Sequence, residues 1–224
     1  MKKPWLKKVR SYFREIILEE TSSRYNPVLQ VILTEGRYQL CTKTAIYSFE
    51  DKYDNYRKAF HYIDIKKRNP QNILLLGMGL GSIPFMIEKL FGVMTNYTAV
   101  EIDEEICRLA EKYTFSELQS AIEVFPVDAN LYLDLYHDTF DIIAMDIFQS
   151  SVIPPEFETN KFFEKLQRKL KPNGLILYNR LADSDKNLKL NKNFWKRWKD
   201  YFPDAEQLNT GTNVIYFNTS IDTV

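Results

Sequence analysis

The chain is poor in several residues that would place it in a specialised class. Its 224 residues hold two cysteines and two histidines. Cys41 and Cys107 lie far apart with no metal-like spacing, which excludes a disulfide framework and a zinc cluster as the basis of the fold. Free thiols in a reducing, cytoplasmic compartment are the expectation. No segment reaches the roughly 18 uninterrupted apolar residues of a membrane helix. The opening MKKPWLKKVRSYFREIILEE lacks a continuous apolar core, so it is not read as a signal peptide. Net charge is also missing: 30 Lys and Arg balance 30 Asp and Glu, which argues against a broad basic footprint for nucleic acid. Glycine is scarce too, at seven residues, yet Gly77, Gly79 and Gly81 fall together.

What is present indicates an ordinary folded domain with a small annex. Hydrophobic residues make up 45% and aromatic residues 14%, more than a disordered chain carries. Residues 1–20 have Leu6, Val9, Phe13, Ile16 and Ile17 at helical spacing and predict an amphipathic helix. Its basic residues, Lys2, Lys3, Lys7, Lys8, Arg10 and Arg14, would suit an anionic membrane. Glu15, Glu19 and Glu20 offset them, so packing on the chain itself or on a second subunit is preferred, and no membrane partner is expected. Residues 28–33 and 38–42 flank Thr34-Glu35-Gly36-Arg37 and predict a hairpin. A third short strand is expected over Ala45 to Ser48, and a helix over 51–65 with Tyr53, Tyr56 and Phe60 on its apolar side.

The break at Asn69-Pro70-Gln71-Asn72 sets an expected boundary between an N-terminal helix and β-hairpin unit, 1–70, and a second unit, 71–224. Short apolar runs then alternate with helical stretches. Strands are expected at Ile73–Leu76, Tyr97–Val100, Ile122–Phe125, Phe140–Met145 and Leu175–Tyr178, and helices at 82–91, 104–113 and 157–170. Such alternation implies βαβ units: an α/β fold with a doubly wound, mainly parallel sheet covered on both faces. Residues 207–217 predict an antiparallel hairpin at its end.

Candidate site residues gather at the carboxyl ends of these strands, where open α/β sheets bind ligands. Gly77-Met78-Gly79-Leu80-Gly81-Ser82 follows the first strand and opens a helix, the context of a glycine-rich ligand loop. Ser82 stands where a dinucleotide loop needs its third glycine, which disfavours a nicotinamide-dependent oxidoreductase and favours a nucleoside thioether. Glu101, beside Ile102 after the second strand, offers two carboxylate oxygens to ribose hydroxyls. Asp128, beside Ala129 after the third, is placed either to accept from an adenine amino group or to cap the next helix. Asp146 ends the fourth strand, while Asp141 at its start reads as structural. Trp195, Trp198, Phe162 and Phe163 read as core.

These stretches, with Val127-Asp128-Ala129 and Phe140-Asp141-Ile142-Ile143-Ala144-Met145-Asp146, resemble the spermidine synthase family of aminopropyltransferases. That family shares its Rossmann-like fold with S-adenosylmethionine-dependent methyltransferases. Ser23-Arg24-Tyr25-Asn26 resembles its S-x-Y-Q segment, and the N-terminal hairpins resemble its small β domain. The resemblance implies S-adenosylmethionine or its decarboxylated form as donor, no metal, a small-molecule acceptor and a homodimer. It implies cofactor-binding roles for Gly77, Gly79, Gly81, Glu101, Ile102, Asp128 and Ala129. It implies Asp146 as catalytic base, and Asn26, Tyr56 and Gln149 as substrate-binding positions. Departures fall in the amine half: Leu80 replaces the acid of G-G-G-D-G-G, Gln149 and Ser150 replace the second acid and the proline of D-x-x-D-P, and Tyr56-Arg57-Lys58 stands for Y-x-E. Alkyl diamines are doubly cationic near neutral pH, so these losses point away from putrescine. A methyltransferase and a non-catalytic nucleoside-binding relative are the alternatives.

Overall fold

The computed structural model describes residues 5–43, 45–149 and 151–221. Lys2, Lys3 and Ser150 lie outside the described residues. Two sheets are present: a four-stranded antiparallel sheet in the order β1-β2-β3-β4 and a seven-stranded mixed sheet.

The smaller sheet comprises β1 (Ile16–Thr21), β2 (Leu29–Thr34), β3 (Arg37–Thr42) and β4 (Ile46–Ser48). The two-residue turn Glu35-Gly36 joins β2 to β3, with Thr34 opposite Arg37, as the turn residues predict. The helix expected over residues 1–20 is corrected. Helix α1 covers only Trp5–Arg10, and Ile16–Thr21 is a strand paired with β2. Two adjacent β-branched residues and the free hydrogen-bonding edge of β2 outweigh helical spacing there. Ile16 and Leu18 pack on the core while Ile17 is exposed. That core also takes Ile106, Leu109 and Tyr113 from α5 (Glu104–Tyr113). Glu19 ties β1 to the same helix, accepting from Arg108 at 2.6 Å, Lys112 at 2.7 Å and Tyr113 Oη at 2.7 Å.

Helix α2 (Asp54–Tyr62) and α3 (Ile65–Arg68) precede the larger sheet. Tyr56, Ala59 and Phe60 of α2 pack against Ile73 and Leu75, so this helix goes with the larger sheet in packing. There follow β5 (Asn72–Leu76), α4 (Ser82–Phe85) continued by a π turn, β6 (Asn96–Val100), α5, β7 (Ile122–Phe125), α6 (Ala129–Leu135) and β8 (Phe140–Met145). Then come α7 (Asn160–Arg168), β9 (Leu170–Leu181), α8 (Asp185–Tyr201), β10 (Glu206–Asn209) and β11 (Asn213–Phe217). Spatial order is β10-β11-β9-β8-β5-β6-β7; strands β5 to β9 run parallel, β11 pairs antiparallel with β9, and β10 antiparallel with β11.

Alternate residues of the parallel strands serve opposite faces, as the pleat requires. Ile73, Leu75, Ala99, Ile142 and Ala144 face one core; Leu74, Leu76, Val100, Ile143 and Met145 face the other. The second core takes Phe162, Phe163 and Trp198, and the Trp198 indole donates to Phe217 O at 2.8 Å. Two boundaries differ from expectation. The stretch 157–170 is a short 3-10 turn followed by α7, because Thr159 caps the helix by accepting from Phe162 N. The strand expected at Leu175–Tyr178 is longer, Leu170–Leu181, with an irregularity before Leu175 where Asn173 has φ of 62°. Asp141 binds the start of β5 through Gln71 N and Asn72 N and pairs with Lys171, a structural role. No helix of the described residues is long and apolar enough to cross a membrane.

Glu19→Ala should lower unfolding stability by about 1–3 kcal/mol, chiefly by leaving the buried Tyr113 hydroxyl unpaired. Urea unfolding followed by fluorescence checks this; an unchanged midpoint would show that the clasp holds nothing.

Candidate functional site

Strand order reverses at β5, which has β6 on one side and β8 on the other. The crevice above such a point is where this sheet type leaves room for a ligand. A cavity of about 690 Å³ opens there. The β5–α4 loop forms its floor. Gly77 has φ of 78°, and a Cβ there would stand 2.6 Å from Asp146 O, so only glycine lets the loop pass the end of β8. At Gly79 a Cβ would meet Tyr47 O at 3.1 Å, the carbonyl of a β4 residue. Ser82 explains that approach: its hydroxyl lies 2.6 Å from Ser48 Oγ and accepts from Phe49 N at 2.9 Å. Gly81 lies behind the loop against the Phe115 ring and is not on the cavity wall.

Glu101 leaves the end of β6 and spans two segments. It accepts from Met78 N at 3.3 Å and from Asp103 N at 3.2 Å. Burial pushes its carboxyl up to about 7, against the pull of these backbone donors. Asp103, 1% exposed, accepts from Ser23 Oγ at 2.5 Å and Asn26 Nδ2 at 2.8 Å while capping α5 through Glu105 N. Asn26 lines the cavity, but its amide is engaged at both ends, since Tyr47 Oη donates to its Oδ1 at 3.2 Å. Ile102, Asp128 and Ala129 also reach the wall. Asp128 does cap α6, accepting from Leu131 N at 3.0 Å, while remaining at the cavity.

Across the cavity, Asp146 accepts from Asn179 Nδ2 at 2.7 Å and from Tyr53 Oη at 2.9 Å. Burial pushes its carboxyl up to about 6, and these two donors hold it from rising further. Tyr56 takes a different place from the one expected. It is fully buried, donates to Met145 O at 3.0 Å and does not reach the wall. The tyrosine at the cavity is Tyr53, stacked on Tyr56 with centroids 6.0 Å apart. Two residues after it in the chain, Asn55 is a buried amide. Lys58 lies away from the wall and donates to Thr210 O at 2.6 Å. Helical spacing placed both tyrosines on one apolar side, and only packing separates them.

Asn179 went unread in the sequence. Its signal was that of Asp146: a polar residue ending an apolar run, Leu175-Ile176-Leu177-Tyr178. Gln149 lies on the wall in a bridge to Val152. Leu80 is buried in the core of the smaller sheet, away from the cavity. Asp54, Glu156 and Asp183 reach the wall as exposed acids. Among the described residues, Lys52 is the one basic residue there, and Glu35 holds it at 3.1 Å. No group of three or more potential metal ligands occurs among the described residues.

Both Asp146 and Glu101 hold a proton more tightly when folded than their ordinary values of 3.8 and 4.5 allow. The folded state thus binds more protons between those values and pH 7, and this stabilisation is lost as pH rises through about 6 and 7. The ligand-free protein should melt at a higher temperature at pH 5.5 than at pH 8, and an Asp146→Asn/Glu101→Gln protein should lose that difference. Equal slopes in the two proteins would refute the burial argument.

Comparison with known proteins agrees with this architecture. The description "Spermine/spermidine synthase domain" matches residues 56–218. A probable polyamine aminopropyl transferase of Bifidobacterium longum is 34% identical over 117 residues, covering 52% of this chain and 26% of that protein. The polyamine aminopropyltransferase of Vibrio vulnificus is 28% identical over 118 residues, covering 51% and 39%. The chain thus spans well under half the length of these two relatives. The spermine synthase of Saccharomyces cerevisiae is 23% identical over 215 residues, covering 92% and 68%. In structure, a probable spermidine synthase from Corynebacterium glutamicum superposes with a TM-score of 0.74 at 19% identity, covering 91% of this chain and 80% of that one. Human methyltransferase-like protein 13, solved in complex with SAH, gives 0.60 at 22% identity, covering 74% and 82%. These two likenesses establish the fold. The matched domain takes in every strand of the larger sheet, with both the glycine loop and Asp146, and on that ground the chain belongs to the spermine/spermidine synthase family.

Proposed function

We propose that this chain transfers an aminopropyl group from decarboxylated S-adenosylmethionine to an amine other than putrescine. One observation carries the reading: a half-buried carboxylate, Asp146, faces the glycine loop and Glu101 across a single cavity.

The donor half fits a nucleoside thioether. Gly77 and Gly79 line the floor, where the loop packs against β8 and β4 too closely for a Cβ. Glu101 has two oxygens for ribose hydroxyls, Asp128 an acceptor for an exocyclic amine, and Ile102 and Ala129 an apolar border. In the acceptor half, Asp146 takes the proton of the attacking ammonium. The amine nitrogen then bonds to the carbon beside the sulfonium, the carbon–sulfur bond breaks, and its electron pair neutralises the sulfur. Tyr53 and Asn179 hold the carboxylate in place for this step. With Glu156 and Asp183, and with Asp54 paired to Arg57 as Lys52 is to Glu35, the wall suits a cationic acceptor. Gln149 and Leu80 leave it without the two acids expected for putrescine. The burial of Leu80 favours a second reading, methyl transfer from S-adenosylmethionine, since no acid there meets an aminopropyl ammonium.

Calorimetry with decarboxylated S-adenosylmethionine, S-adenosylmethionine and methylthioadenosine in parallel separates these readings. The decarboxylated donor should bind more tightly than S-adenosylmethionine; the reverse order would support methyl transfer. Glu101→Ala should weaken methylthioadenosine about ten- to a hundredfold, as expected for losing about 1.5–3 kcal/mol of hydrogen bonding to a charged group. In the wild type the affinity should rise with pH through about 7, because the ribose hydroxyls need the ionised Glu101. Asp146→Asn should slow transfer by about 10²-fold or more while donor affinity changes little. Retention of full turnover would exclude Asp146 as the base.

A further inference from the structure

We infer that Asn213, on the C-terminal edge hairpin, positions the Asp146 carboxylate by fixing which end of the Asn179 amide faces it. The inference rests on the reading of Asp146 as the base.

Asn179 is fully buried, so no water competes for its amide. A primary amide has nearly the same shape in both orientations but opposite hydrogen-bonding ends: the nitrogen donates and the oxygen accepts. An ionised carboxylate only accepts. Asn179 Nδ2 toward Asp146, as observed at 2.7 Å, is therefore favourable, and Oδ1 toward Asp146 is repulsive. Asn179's far end reinforces that choice. Asn213 Nδ2 donates to Asn179 Oδ1 at 3.0 Å, which commits that oxygen and leaves the nitrogen for Asp146.

Asn213's own oxygen accepts from Thr212 Oγ1 at 3.0 Å, which leaves its nitrogen for Asn179. Asn179 lies opposite Ile215 in the β9–β11 ladder, and Asn213 lies opposite Leu181. Asn213 is therefore the same-face diagonal neighbour of Asn179, within reach of a short side chain. The tip of the hairpin is anchored: Thr210 donates to Asn213 O through both its backbone nitrogen and its hydroxyl, and Lys58 of α2 donates to Thr210 O. The chain Thr212–Asn213–Asn179–Asp146 thus carries one donor direction from the edge of the sheet to its centre. The titratable groups facing Asp146 are the phenols of Tyr53, before α2, and Tyr56, on α2; burial holds both protonated far above neutral pH.

The test reads Asp146 directly, without needing turnover. Carbon-13 NMR of the aspartate carboxyls in the ligand-free full chain follows its titration, with the Asp146 signal identified by its loss in Asp146→Asn. Asn179→Ala should raise the midpoint by about one pH unit, a tenfold change in proton affinity. Asn213→Ala should raise it less, and should add nothing in the Asn179→Ala background. Asn213→Asp keeps the size but offers only acceptors. It should turn the Asn179 amide round and raise the midpoint further in the presence of Asn179 than in its absence. Equal shifts with and without Asn179, or no shift in any variant, would overturn the inference. In transfer assays the acidic limb of kcat should move with the NMR midpoint while the donor KM stays constant. Full turnover by Asp146→Asn would remove the base assignment and leave the titration result standing.

Discussion

Gly77 passes so close to the end of β8 that no side chain fits between them. This one close approach governs the rest of the site. It brings the β5–α4 loop and Asp146 to the same point above the sheet, on adjacent strands of the reversal. Asp146 is partly withdrawn from solvent there, and a carboxylate in such a place holds its proton more tightly than in water. Tyr53 and Asn179 answer that cost with two donors, so the carboxylate remains within reach of neutral pH.

The smaller sheet completes the cavity through polar contacts at two places. The paired hydroxyls of Ser48 and Ser82 lock β4 onto the first turn of α4. Ser23 and Asn26 lock the β1–β2 connection onto Asp103, whose backbone nitrogen is bound by Glu101. Replacing the third glycine by Ser82 thus does two things: it removes the room a pyrophosphate loop needs, and it supplies the hydroxyl that holds the annex over the site. The wall that results is acidic, which suits a cation and sets the proposed acceptor's charge.

The larger sheet was legible because its strands are buried on both faces and read as apolar runs, each followed by a chemically distinct residue. Gly77, Glu101, Asp128 and Asp146 stood out on that pattern, and each lies where the pattern puts it. The N-terminal segment was not legible. Ile16 to Thr21 has helical spacing and β-branched residues at once, and the open edge of β2 decides between them. Tyr53 and Tyr56 likewise share one apolar side in sequence, yet one hydroxyl reaches Asp146 and the other a backbone carbonyl.

The sequence by itself determined the alternation of strands and helices, the glycine loop and the acids at the strand ends. These depend on local period and on residue chemistry, which need no partner to be read. Tertiary structure alone decided that Gly81 lies behind the loop, that Leu80 serves the smaller sheet's core, and that Asn26 is spent on Asp103. It alone brought Asn179 and Asn213 to the proposed base from strands far along the chain. The physical reason is that hydrogen-bond partners are chosen by strand order and register, which set distance only after the whole sheet has closed.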